Sequence, residues 1–186
     1  MLKYANFDIV FQEVPEEVTL AINISNCPNR CPGCHSKYLW ENIGKPLDTN
    51  ELNRLVEQYK SGITCVCFMG GDNEPDTVAE LAKQLKNNHK GLKAAWYSGK
   101  NELPENISTD HFDYIKLGRY VANLGPLDSA TTNQRMMKRL ADGRVKDITE
   151  WFRKNKKLES VGAESALSSA ADVTAQTIQT EAVAIA

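Results

Sequence analysis

The sequence predicts an α/β fold with a mostly parallel β-sheet. Short apolar runs rich in β-branched residues, which are typical of buried strands, occur at 18–25, 63–69, 92–97 and 112–117. Amphipathic stretches with helical spacing lie between the first and second runs and between the second and third. Strands that alternate with helices in this way pair in parallel, because each helix carries the chain back to the start of the next strand.

The remaining elements follow in chain order. Residues 2–14 alternate loosely and predict an edge strand, and 35–42 predict a short helix. A capping box begins at Asp48 and starts a helix that ends at Gly62. Near the end of the domain, residues 134–140 predict a helix and 143–148 an extended turn.

Length and composition bound the organisation and the function. The chain has 186 residues, which is enough for one domain with a core but too few for two ordinary domains. We expect this domain at 1–158, followed at 159–186 by a flexible, low-complexity tail without Lys, Arg, aromatic residues or Pro. A net charge of -2 argues against nucleic-acid binding, and no apolar run approaches the ~20 residues that span a membrane.

Three of the five cysteines form a C-x3-C-x2-C motif, Cys27, Cys31 and Cys34, directly after the strand at 18–25. A structural zinc site needs four ligands, whereas a 4Fe–4S cube held by three cysteines keeps one iron free. The other two cysteines, Cys65 and Cys67, alternate with an apolar residue in the strand at 63–69 and are expected in the core. The motif therefore favours an iron–sulfur cluster over zinc.

Two other interpretations use only part of the motif. Cys31, Cys34 and His35 match the C-x-x-C-H pattern of covalent haem attachment, and Cys31 with Cys34 matches a dithiol redox pair. Both leave Cys27 without a role. Haem attachment also implies export, yet the N-terminus shows no signal peptide, so we expect a cytoplasmic protein.

A wider set of motifs resembles the radical S-adenosylmethionine (SAM) superfamily, and in particular the activating proteins of anaerobic ribonucleoside-triphosphate reductase. The matching segments are 27–36 with Trp40, 70–72, 96–99, 113–120, 125–129 and 132–135. The resemblance implies a partial (βα) barrel of the radical SAM type. It also implies a 4Fe–4S cluster ligated by Cys27, Cys31 and Cys34, with SAM bound to the open iron and cleaved after one-electron reduction.

The resemblance also assigns SAM contacts. Gly70 and Gly71 would let the backbone approach SAM, and Asp72 would accept hydrogen bonds from its ammonium group. Ser98 is expected near the SAM carboxylate or ribose. Many members carry an aromatic residue that packs on adenine where this chain has Gly33, so His35 or the backbone around Cys34 is expected to cover the adenine. Leu117 likewise replaces a common acid, which leaves Lys116 or Arg119 for any polar contact there.

The resemblance further implies a protein substrate and a protein reductant. The substrate would be a glycine near the C-terminus of the anaerobic ribonucleoside-triphosphate reductase, and the reductant a flavodoxin or ferredoxin. Residues 125–135 are the candidate surface for the partner. Two alternatives stay open: a radical SAM enzyme that acts on another glycyl-radical enzyme or peptide, and an iron–sulfur electron-transfer module.

Overall fold

The structure, a computed structural model, describes residues 1–153. The strands are β1 (Lys3–Val10), β2 (Thr19–Ile24), β3 (Lys45–Pro46), β4 (Cys65–Met69), β5 (Lys93–Tyr97), β6 (Tyr114–Leu117), β7 (Arg135–Arg139) and β8 (Val145–Asp147). The helices are α1 (Thr49–Tyr59), α2 (Pro75–Asn88) and a 3-10 helix at Lys37–Trp40. The tail predicted at 159–186 lies outside the described residues.

All eight strands form one sheet in the order β3-β1-β2-β4-β5-β6-β7-β8. The four central strands pair in parallel, β2 with β4, β4 with β5 and β5 with β6. The outer strands pair antiparallel on both sides. The α/β class is therefore confirmed, but the sheet is mixed, with a parallel centre and antiparallel flanks. Within residues 1–153 the sheet stays open and does not close into a barrel.

Two predicted elements are wrong in position or type. The segment predicted as a helix at 134–140 is strand β7, in which Met136 and Met137 pair with β6. Met, Lys, Arg and Leu favour helix, but pairing along the free edge of β6 outweighs that weak preference. The N-terminal strand β1 is not at the edge, because β3 pairs along its outer side.

The sheet has a different core on each face. Both helices cover one face, where Val66, Phe68 and Trp96 pack against apolar side chains of α1 and α2. The opposite face carries a smaller cluster that includes Cys65 and Cys67. Both thiols are fully buried, which confirms their predicted place in the core. None of the helices within the described residues is long and apolar enough to cross a membrane.

The α1 and α2 helices begin where their sequence signals place them. Asp48 caps α1, because its carboxylate accepts a hydrogen bond from the Glu51 backbone N–H at 2.8 Å. Pro75 opens α2 at a position where no intrahelical N–H bond is lost. Each helix returns the chain to the amino end of the next parallel strand. The carboxyl ends of β2, β4, β5 and β6 therefore meet at one edge of the sheet.

We expect Cys67→Ala to lower the free energy of unfolding by about 1–2 kcal/mol, because it empties buried space beside Met69. Urea denaturation of the cluster-free protein measures this change. Cys34→Ala is the matched control, since the Cys34 thiol is only partly buried and its loss should change stability by less than about 0.5 kcal/mol. Equal losses in the two variants would contradict the buried assignment.

Candidate iron–sulfur site

The cysteine motif lies in the loop that leaves β2 at the carboxyl edge of the parallel strands. Two backbone hydrogen bonds of 2.9 Å fix the start of this loop, from the N–H of Asn26 to the carbonyl of Glu41 and from the N–H of Cys27 to the carbonyl of Leu39. Two non-glycine residues of the loop, Asn26 and Arg30, have positive φ. Such backbone conformations persist only where the surrounding structure imposes them. The loop is therefore a defined structure and not a free connection.

The three motif cysteines are free and differ in exposure. The Cys31 side chain is buried, with 8% of the residue exposed, whereas Cys27 and Cys34 are partly buried. The N–H of Cys34 donates to the carbonyl of Cys31 at 3.1 Å, which closes a turn between the second and third cysteines. The three thiols therefore lie on a short, tightly turned loop that remains partly open to solvent.

The carboxylate of Asp72 ties this loop to the ends of β4 and β5. Its Oδ1 accepts a hydrogen bond from the Ser98 hydroxyl at 2.6 Å. Its Oδ2 accepts from the Gly99 N–H at 2.8 Å and from the side-chain amide of Asn29. Asn29 lies between the first two cysteines, and its amide is also 3.9 Å from the Cys27 sulfur. One carboxylate thus links the cysteine loop to two neighbouring strand ends.

Glycine is required where β4 turns toward Asp72. Gly70 and Gly71 have φ of +105° and +89°, and a Cβ added at Gly71 would lie 2.5 Å from a methyl carbon of Val78. The same holds across the site at Gly99, where a Cβ would lie 2.4 Å from the Asn29 amide nitrogen. The glycines therefore allow the close approach of three segments that the Asp72 network needs.

An aromatic side chain from another loop lies beside Gly33. A Cβ added at Gly33 would be 3.3 Å from the ring of Tyr120, which follows β6. The same ring meets the exposed His35 edge-on, with ring centroids 5.8 Å apart. The cysteine loop lacks an aromatic residue between its second and third cysteines, but Tyr120 supplies a ring at that place.

A buried lysine lies under the same edge of the sheet. Lys116 of β6 is 8% exposed, and its ammonium donates to the carbonyl of Gly118 at 2.5 Å. Burial lowers the pKa of Lys116 to about 8, while the negative charges of Asp72 and Cys31 act in the opposite direction. The site therefore contains a desolvated cation within electrostatic reach of one motif cysteine.

The donor set fits an iron–sulfur cube better than a single metal ion. Within residues 1–153, no three His, Cys, Asp or Glu side chains are placed to hold one metal ion. In a cube each cysteine ligates a different iron, so the thiolates surround the cluster and do not converge on one point. Three free thiols on one loop are compatible with that arrangement.

A family model described as the 4Fe-4S single cluster domain matches residues 16–117, more than half of the chain. The chain belongs to this family. The match begins just before β2 and ends with β6, so it covers the cysteine loop and the four parallel strands. It supports an iron–sulfur protein that holds one 4Fe–4S cluster. Searches of curated proteins and of solved structures returned no match to this chain.

The structure brings most of the predicted site residues together. The cysteine loop, the 70–72 turn and Ser98 meet at one edge, as expected for neighbouring parallel strands. Ser98 is buried and bonded to Asp72, so its direct contact with a ligand stays a prediction. Sequence reasoning missed the bridging role of Asn29 and the position of the Tyr120 ring. The only signal for Asn29 was a short polar residue between two cysteines.

We expect Cys27→Ala, Cys31→Ala or Cys34→Ala each to reduce iron and sulfide after anaerobic reconstitution, because a cube with two cysteine ligands is poorly held. Cys65→Ala is the matched control, since its thiol is fully buried at the start of β4, at the end of the strand opposite the cysteine loop. The measurement is iron and acid-labile sulfide per chain. Full cluster content in the Cys31→Ala protein would overturn the ligand assignment.

Proposed function

We propose that the protein is a radical SAM enzyme that generates a glycyl radical on an anaerobic ribonucleoside-triphosphate reductase. One observation carries the proposal: the cysteine loop is joined through Asn29 and Asp72 to the glycine turn after β4. A loop that only held a cluster for electron transfer would not need a carboxylate-bearing glycine turn joined to it. The segments 113–120, 125–129 and 132–135 resemble the activating proteins of the reductase. For this reason we propose the reductase as the substrate.

Three cysteine ligands leave one iron open for SAM, and the reduced cluster would supply the electron that cleaves it. In this proposal the chain's own residues bind and orient SAM. An ionised carboxylate has about four acceptor positions, and Asp72 uses three of them within the protein. The remaining position is available to an ammonium donor, and the three existing bonds fix its direction.

Tyr120 completes the proposed adenine contact. Its ring lies at Gly33 and against His35, at the open side of the cysteine loop. Aromatic faces stack on nucleobases with a useful but sequence-tolerant energy of ~1–3 kcal/mol. In this proposal the ring from the β6–β7 connection takes the place of an aromatic residue within the motif.

The partner surface is the connection between β6 and β7. Residues 125–135 are held in turns, with Thr131 bonded to the carbonyl of Leu124 at 2.9 Å, while Ala130 and Thr131 remain exposed. This connection also carries Tyr120, so a docked polypeptide would lie next to the proposed SAM site. We propose a flavodoxin or ferredoxin as the electron donor.

The function is tested by paramagnetic resonance of the reconstituted, reduced cluster with and without SAM. We expect SAM to shift the spectrum and 5′-deoxyadenosine to form, because one iron is open to the ligand. Adding the reductase should then give a glycyl radical on that partner. A spectrum unchanged by SAM would contradict SAM binding and favour an electron-transfer module. SAM cleavage without a radical on the reductase would point to another glycyl-radical enzyme or peptide.

We expect Asp72→Asn to weaken SAM binding about tenfold while iron content stays the same, because the change removes a charge-assisted hydrogen bond. Titration of the spectral shift with SAM measures the affinity. Asp142→Asn is the matched control, since it makes the same change at an exposed carboxylate paired with Arg144, far along the chain in the β7–β8 turn. Unchanged SAM affinity in Asp72→Asn would refute the role.

A further inference from the structure

Lys116 is almost fully buried, which is rare for a lysine. Its residue is 8% exposed, and its ammonium makes one hydrogen bond, to the Gly118 carbonyl. The ammonium also lies 5.9 Å from the centroid of the Tyr97 ring. Within residues 1–153, no carboxylate lies inside the 4.0 Å distance of an ion pair with it. Two of its three N–H donors therefore have no acceptor among the described residues.

A buried ammonium without a close counter-ion is costly, because the interior solvates a charge poorly. The residues that do interact with it electrostatically are Asp72, Cys31 and Glu13. Three neutral hydrogen-bond donors already stabilise the Asp72 carboxylate, and Cys31 is one of the proposed cluster ligands. The Lys116 carbonyl accepts a hydrogen bond from the Ser98 N–H at 2.9 Å. The Ser98 hydroxyl bonds to Asp72, and Asp72 holds Asn29 of the cysteine loop, so Lys116 lies at the same edge of the sheet as that loop.

An iron–sulfur cube held by three thiolates would place a net negative charge at this edge of the sheet. A cube in its 2+ state bound to three thiolates has a net charge of about -1, and one-electron reduction makes it about -2. A fixed cation nearby stabilises the reduced state more than the oxidised state, because it interacts with one more unit of charge. Net charge and nearby hydrogen-bond donors are among the factors that set cluster potentials.

We propose that Lys116 is the buried counter-charge of the cluster and raises its reduction potential. This inference rests on the proposal that Cys27, Cys31 and Cys34 hold the cluster, and it does not depend on SAM cleavage. In this role Lys116 is a positioning residue for charge and not a ligand. The counter-charge role explains why a lysine is buried on the sheet face opposite the helices. On that face Lys116 lies between Tyr114 and Gly118.

The test is an anaerobic potentiometric titration of the reconstituted cluster, with dithionite as reductant and paramagnetic resonance as the readout. We compare the wild type with Lys116→Met and Lys116→Gln. Met matches the length of the lysine stem, and an apolar replacement for a buried charge is usually tolerated. Lys138→Met is the matched control, because it removes a positive charge on the same face of the next strand, above Trp151 and away from the cysteine loop.

Loss of the charge should favour the oxidised cluster on the order of tenfold at a fixed potential. For a one-electron couple, tenfold corresponds to a midpoint lower by 59 mV. Lys116→Arg should keep the wild-type midpoint, and Lys138→Met should change it much less. Loss of iron in both neutral variants, with full iron in a folded Lys116→Arg, would also support the counter-charge.

Three results would overturn the inference. One is a wild-type midpoint in either neutral variant with a full cluster, and another is an equal shift in Lys138→Met. The third is loss of iron in all Lys116 variants, Arg included, which would show a packing role instead. None of these readouts uses SAM, so failure here is distinguishable from failure of the proposed enzymatic activity.

Discussion

The geometry of the site depends on the hydrogen bonds that the Asp72 carboxylate accepts. Its donors come from the end of β5 and from the cysteine loop, so one side chain fixes the distance between two segments far apart in sequence. On its other side the loop is held by backbone bonds to Leu39 and Glu41. Hydrogen bonds to a charged acceptor are worth about twice those between neutral groups. The loop that carries the cysteines is therefore fixed by the protein's own hydrogen bonds, and such pre-organisation limits the ordering cost of binding a ligand.

The two sets of cysteines show how position decides the chemistry of a thiol. Cys65 and Cys67 lie on the same face of β4, opposite the helices. Burial raises the pKa of both thiols far above the ordinary value. A thiol that cannot ionise is a poor metal ligand. The motif cysteines instead lie on a loop at the strand ends, where Cys27 and Cys34 are only partly buried. The same residue type thus serves packing in the strand and is proposed as a cluster ligand in the loop.

The sequence predicted the parallel centre of the sheet and the meeting of the cysteine loop with the 70–72 turn. Both follow from local patterns, since buried strands, helix caps and glycine turns are encoded within a few residues. It did not predict β7, because Met136 and Met137 carry no period that separates strand from helix, and the decisive interaction is pairing with distant β6. The partners of Asn29 and Tyr120 were equally hidden, since each contact joins residues separated by tens of positions.

The antiparallel strands that follow β6 determine which segment lies beside the cysteine loop. In a barrel built from repeated strand–helix units, each added parallel strand extends the sheet around the barrel interior. In this chain the repeat stops at β6, and β7 and β8 fold back antiparallel without a crossover helix. The long β6–β7 connection then lies across the carboxyl edge with Tyr120 against the cysteine loop. The same connection is the surface proposed above for a protein partner. Its turns, fixed by internal hydrogen bonds such as that of Thr131, would present a formed surface instead of one that must fold on binding.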